Sequence, residues 1–243
     1  GLIQRNVDVH LATLNLKKRF QKESHVEESQ WRDLRYKIDS RSIHLVTSSI
    51  FDDLSGAYEG DTRLNASEFQ KEIVNSVLKT VSARSKGKVI VHSHDWMAGG
   101  VITAYANEHR IPVLHTVHNV FTSVVPTDMY FGVNVDRLSH LLYYVEKDGS
   151  RCIDCQATAI KNATLINFVG KKFLDEVVNG YFMKDNIIPA SVRQETREKY
   201  FNGSALAIIN APSLEMYPEH CRHLIKNYGP GDNIIAAKRE NLI

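Results

Sequence analysis

KVIVHSHDW (Lys88–Trp96) and PVLHTVHN (Pro112–Asn119) are the two stretches that decide the fold. Each opens with a short apolar run, Lys88–Val91 and Pro112–Leu114, that reads as a strand buried on both faces of a sheet. Each closes in a polar cluster: His92-Ser93-His94-Asp95-Trp96 in the first, His115-Thr116-Val117-His118-Asn119 in the second. The residues between them, about Ala98 to Glu108, fit a helix that carries the chain back to the start of the next strand. Strand, helix and parallel strand form the unit of a doubly wound, Rossmann-like α/β sheet. Ligands of such sheets bind beyond the carboxyl ends of the strands. Both polar clusters are therefore expected on one rim.

Upstream, Asn65-Ala66-Ser67-Glu68 opens a segment in which Phe69, Ile73, Val77 and Val81 recur every four residues, which predicts a helix that Gly87 ends. Ile43–Val46 and the alternating Val7–Leu14 read as strands. The charges of Lys17–Arg41 alternate in sign and read as solvated surface. Downstream, Phe121–Ala163 reads as a long irregular or helical stretch. Thr164–Phe168 reads as a strand, Phe173–Val178 and Ser191–Tyr200 as helices, and Ala205–Asn210 as a late strand. No internal repeat, low-complexity segment or Pro/Gly linker interrupts the alternation, so residues 1–243 are expected to form one domain. No G-x-G-x-x-G fingerprint is present.

Composition narrows the function. Lys and Arg number 30 against 28 Asp and Glu, a balance that does not supply the concentrated basic face of a nucleic-acid binder. No apolar run is long enough to cross a bilayer. Three Cys in 243 residues do not make a disulfide framework, so a cytoplasmic location is expected. The opening GLIQRN carries neither an initiator Met nor a signal core and reads as an internal start.

A carboxylate, an amide, imidazoles and an indole on one rim suit a carbohydrate. Asp95 can stabilise a developing cation or accept a proton, and His118 and Asn119 can hydrogen-bond hydroxyl groups. Trp96 either offers a flat face to a sugar ring or packs into the core at the start of a helix. His92, His94, Asp95, His115 and His118 also raise a metal-dependent hydrolase, but their spacing is not the H-x-H-x-D-H of such a site. Cys152-x-x-Cys155 with Cys221 and His223 raises a structural zinc, against the reading of plain reduced thiols.

With these residues in view, the chain resembles the N-terminal catalytic domain of glycogen and starch synthases, which are two-domain (GT-B) retaining glycosyltransferases. HSHDW at His92–Trp96 is similar to the family's H-x-H-D-W, and TVHN at Thr116–Asn119 to its T-[IV]-H-N. Ile50–Tyr58 is similar to the segment ending in G-L-Y-G. Ile208-Ile209-Asn210 and Tyr217-Pro218-Glu219 resemble the later I-L-N-G-I-D…W-N-P. The resemblance implies transfer of glucose from ADP-glucose or UDP-glucose to the non-reducing end of an α-1,4-glucan. It implies no cofactor and no metal. It places Asp95 and His118 in the donor-sugar pocket as catalytic residues, Asn119 on the sugar and Trp96 on the acceptor side. No counterpart of the family's glycine-rich, Lys-containing loop or of its C-terminal nucleotide-binding domain is expected within these residues. T-V-S-P appears as Asn167-Phe168-Val169-Gly170, and N-G-I-D as Asn210-Ala211-Pro212-Ser213. The fragment alone is therefore expected to be inactive. A non-catalytic relative that binds glucan or a partner through the same cleft is the alternative.

Overall fold

The strands expected around the two polar clusters form, but their bounds shift. In the computed structural model, which describes residues 7–16, 43–181 and 187–209, β3 runs Val91–His94 and β4 runs Val113–Val117. Each therefore reaches further along the chain than its apolar run. Lys88–Ile90 precedes the sheet, and Ile90 is exposed.

The first strands, β1 (Leu11–Leu14) and β2 (Ile43–Val46), pair in parallel as a two-stranded sheet. Next comes α1 (Thr62–Glu72), which passes through a wide π turn at Ile73–Val77 into α2 (Leu78–Arg84). Asp61 starts α1, its carboxylate accepting the amides of Arg63 and Leu64, as an N-cap does for the orphan donors of a first turn. The helix thus begins before the expected Asn65. Its buried face is Ala66, Gln70, Ile73, Val74 and Leu78, with Phe69, Val77 and Val81 only half-buried. A fourfold apolar spacing drifts around a 3.6-residue helix, and the polar Gln70 occupies the inward stripe instead.

After β3 a 3-10 turn (Trp96–Ala98) leads into α3 (Gly100–Glu108) and back to β4. The chain then departs from expectation. Phe121–Ala163 is not mainly irregular or helical. It holds β5 (Val124–Pro126), β6 (Tyr143–Val145), β7 (Arg151–Asp154) and α4 (Cys155–Asn162). The three strands form an antiparallel sheet in the order β5-β7-β6. Strands of three and four residues are too short to express a period-2 pattern, which hid them in the sequence.

Next are β8 (Leu165–Phe168), α5 (Lys171–Asn179), α6 (Ala190–Phe201) and β9 (Ala205–Ala207). The late strand ends before the expected Asn210, which lies outside the described residues. The first strand likewise covers only the second half of Val7–Leu14. The main sheet is parallel throughout, ordered β3-β4-β8-β9, the mixed α/β arrangement expected of a Rossmann-like domain. Its central strands carry the core: Val117, Ile166 and Phe168 are fully buried, against Val101 of α3 and Ile160 of α4.

All described elements fall within residues 1–208. The Lys17–Arg41 excursion, Asn210–Ser213, the Tyr217–Glu219 motif, Cys221 and His223 lie outside the described residues. Among the described residues no helix is long and apolar enough to cross a membrane.

Candidate active site

Parallel register sets the rim. β3 and β4 align His92 with Leu114, Ser93 with His115 and His94 with Thr116, so the two polar clusters end side by side. Within β3 the burial alternates, with Val91 and Ser93 inward and His92 and His94 outward, as a pleated strand requires. Within β4, His115, Thr116 and Val117 are all buried. Part of the expected rim is therefore inside the sheet. His115 is fully enclosed, its Nδ1 2.8 Å from Ser93 Oγ. Burial, helped by the neighbouring His94 and His92, lowers its pKa to about 3. It is a neutral core imidazole, and among the described residues its Nε2 has no hydrogen-bond partner.

Asp95 is the first residue past β3 and holds the rim together. Its backbone sits at φ 50°, in the region that disfavours residues with a Cβ. The turn aims its carboxylate at the end of β4. Oδ1 accepts the backbone N–H of His118 at 2.8 Å and of Asn119 at 3.4 Å, and Oδ2 accepts Asn119 Nδ2 at 3.3 Å. Its own amide donates to the Thr116 carbonyl. Asn119 Oδ1 in turn accepts the Phe121 amide. One carboxylate thus fixes the backbone from which the exposed His118 side chain projects.

Three imidazoles line this edge. His94 Nδ1 lies 3.0 Å from His118 Nε2, and the rings of His92 and His94 are 4.2 Å apart. His92 Nε2 lies 2.9 Å from Thr116 Oγ1. Burial first, and then repulsion among the rings, lowers the pKa of both His92 and His94. Both are neutral at pH 7.

Sequence reasoning did not single out Tyr58 as a site residue. It is 64% exposed, yet its phenol pKa is raised by partial burial and by the negative charge of Asp95. The loop before α1 therefore brings a phenol within electrostatic reach of the same carboxylate. The signal was Tyr58's place at the end of the Ile50–Tyr58 segment.

Trp96 is 6% exposed and belongs to the hydrophobic core. Of its two readings, packing at the start of the turn is the one observed. Behind that turn lies a buried polar hub. Gln70 Nε2 donates to the Met97 carbonyl, while Gln70 Oε1 accepts the Val101 amide and the Tyr130 hydroxyl. Cys155 Sγ lies 3.8 Å from Gln70 Nε2 and 3.5 Å from the Tyr130 hydroxyl. Burial pushes the Cys155 thiol up to about 12 and also raises that of Cys152. Both are buried free thiols. Among the described residues no group of three or more His, Cys, Asp or Glu side chains is arranged to hold a metal ion. The hydrolase reading therefore gains no support from these histidines.

The rim has hydrogen-bonding groups for hydroxyls, the Asp95 carboxylate, and the neutral imidazoles of His92 and His94. Against known proteins, the family model described as the starch synthase catalytic domain matches residues 2–187. No curated protein matches the chain. Among solved structures it is similar to the catalytic domain of starch synthase IV from Arabidopsis thaliana bound to ADP and acarbose, with a TM-score of 0.50 and 14% identity. The likeness covers 69% of this chain and 34% of that one. The chain thus spans about a third of that structure's length, and at this identity the likeness is one of fold.

Proposed function

The chain belongs to the starch synthase catalytic domain family, and from that premise we propose that it forms part of a retaining glycosyltransferase. It would move glucose from ADP-glucose or UDP-glucose to the non-reducing end of an α-1,4-glucan. The solved structure it resembles is bound to ADP and acarbose, and ligands of those kinds are the ones proposed here. A second, nucleotide-binding domain would complete the cleft.

The observation that carries the reading is the Asp95 carboxylate bridging the ends of β3 and β4 through the amides of His118 and Asn119. Glycosyl transfer passes through an oxocarbenium-like state, which pre-oriented negative charge and dipoles stabilise. Asp95 supplies that charge and orients the His118 backbone. The His118 side chain holds a hydroxyl of the transferred glucose, and Asn119 adds a second sugar contact. Trp96, buried behind the turn, supports the rim from below.

The test is glucosyl transfer to glycogen or amylose by the full-length protein, with ADP-glucose and UDP-glucose in parallel. His118→Ala and Asp95→Ala are each expected to lower kcat/KM by roughly a hundredfold or more, the scale of losing an oriented transition-state contact. Unchanged transfer in both variants would refute the site assignment. Glucan binding without transfer by the intact protein would favour the non-catalytic alternative.

A further inference from the structure

His94 stands between two other imidazoles, and its position constrains the one that meets the ligand. The rings of His94 and His118 are inclined by only 23°, with centroids 5.3 Å apart. Together with the 3.0 Å separation of Nδ1 and Nε2, this is an edge-to-edge pair, the geometry that a hydrogen bond in the plane of both rings requires. The His92 ring covers His94 at 4.2 Å and is itself tied to Thr116 Oγ1. The backbone of His118 is pinned by Asp95. Each of the two rings is therefore restrained from two directions. Among the described residues Nδ1 of His118 has no hydrogen-bond partner.

The contact between these two ring nitrogens holds one proton, so one ring donates and the other accepts. Which nitrogen of a histidine holds its proton is set by the bond made at the other. Two arrangements satisfy the contact. In one, His118 Nε2–H donates to a bare His94 Nδ1, and both rings carry the Nε2–H form that free neutral histidine prefers. In the other, His94 Nδ1–H donates, and both rings must adopt the less favoured Nδ1–H form. The first has the lower intrinsic cost. His94 is available as the acceptor because burial and its neighbouring imidazoles keep it neutral at pH 7.

We propose that His94 is a positioning residue whose Nδ1 accepts the Nε2–H of His118, so that His118 presents a bare Nδ1 to the ligand as a hydrogen-bond acceptor for a sugar hydroxyl. The identity of that ligand rests on the transferase reading above. The tautomer does not.

The experiment is long-range proton–nitrogen NMR of the histidine rings in the nitrogen-15-labelled chain at neutral pH, with His118→Ala assigning the His118 signals. Wild type is expected to show His118 protonated at Nε2 and bare at Nδ1. His94→Asn places an amide oxygen close to the position of the lost Nδ1 and is expected to keep that pattern. His94→Ala is expected to lose it, with the proton averaging between the two nitrogens. In the transfer assay His94→Ala should cost about tenfold in kcat/KM, and His94→Asn should restore most of it, the scale of one oriented hydrogen bond. A wild-type proton on His118 Nδ1, or a His118 tautomer unmoved in His94→Ala, overturns the proposal. If His94→Ala does not fold, the wild-type tautomer decides alone. An intact tautomer pattern in a protein that transfers no glucose would count against the proposed function and leave the role of His94 standing.

Discussion

Asp95 keeps a positive-φ, extended backbone that costs a residue with a Cβ about 1–3 kcal/mol, and it does so because its carboxylate has three donors waiting just past the end of β4. Charge and anchoring can be separated there. Asp95→Asn retains an acceptor for the His118 amide and is expected to fold with a loss of about 1 kcal/mol or less in urea denaturation, while transfer activity falls as it does in Asp95→Ala. Asp95→Ala leaves the donors unanswered and should lose about 1–3 kcal/mol. Equal stability of the two variants would mean that the carboxylate is no anchor. His115 yields a pH effect. Its pKa is about 3 folded against 6.5 unfolded, so the unfolded chain binds the extra proton as pH falls below 6.5. This group contributes nothing above that pH and destabilises progressively between 6.5 and about 3. From pH 6.5 to 5 its share is about 2 kcal/mol, with His92 and His94 adding in the same direction. His115→Phe, whose ring suits the enclosed site, should lessen the slope of urea midpoint against pH. An unchanged slope would assign the acid sensitivity elsewhere. The motif reading had the right residue types here but could not tell rim from interior. That depends on where a strand ends, and β4 runs on to Val117 through His115 and Thr116.

At the scale of elements, the parallel sheet was legible because apolar runs alternating with helix-length segments have few other solutions. The β5-β7-β6 sheet was not, because its short strands are held by tertiary pairing rather than by their own pattern. Nor was the close meeting of α3 and α4, which depends on Gly99 and Gly100. A Cβ on Gly99 would lie 2.7 Å from Ala159 Cβ and 3.0 Å from the Cys155 carbonyl. A Cβ on Gly100, at φ 44°, would lie 2.7 Å from Gln70 Oε1, the atom that accepts from Val101 and Tyr130. Gly99→Ala is expected to cost about 1–3 kcal/mol by overpacking. Gly100→Ala should cost more, because it adds backbone strain and presses on the hub. Ala159→Gly in the Gly99→Ala background should recover part of the loss. If that double variant is no more stable than Gly99→Ala alone, the Cβ contact is not what makes Gly99 necessary. These helices carry the turn behind Asp95, so the pair also links packing to the site.

For the molecule as a whole, Cys155 is a reporter of how cooperatively these parts hold. Its thiol is fully buried, contacts Gln70 and Tyr130, and lies beneath Gly100 at the junction of α1, α3 and α4. With its pKa raised to about 12, almost no thiolate exists at pH 8, and no reagent reaches the sulfur without separating those helices. Labelling of Cys155 should therefore proceed only through opening of the fold. If the sheet and its helices open as one unit, the opening free energy read from labelling with a thiol reagent will match that from urea denaturation, within the 5–15 kcal/mol usual for a domain. Resolving the labelled peptides by mass keeps the result for Cys155 apart from Cys152 and Cys221. Gly100→Ala should then accelerate labelling in step with its loss of stability. Labelling that outpaces global unfolding in the wild type would instead mean that α3 and α4 part from each other while the sheet persists. The turn carrying Asp95 would then be free to move on its own, and the rim would owe its geometry to bound ligand rather than to the fold beneath it.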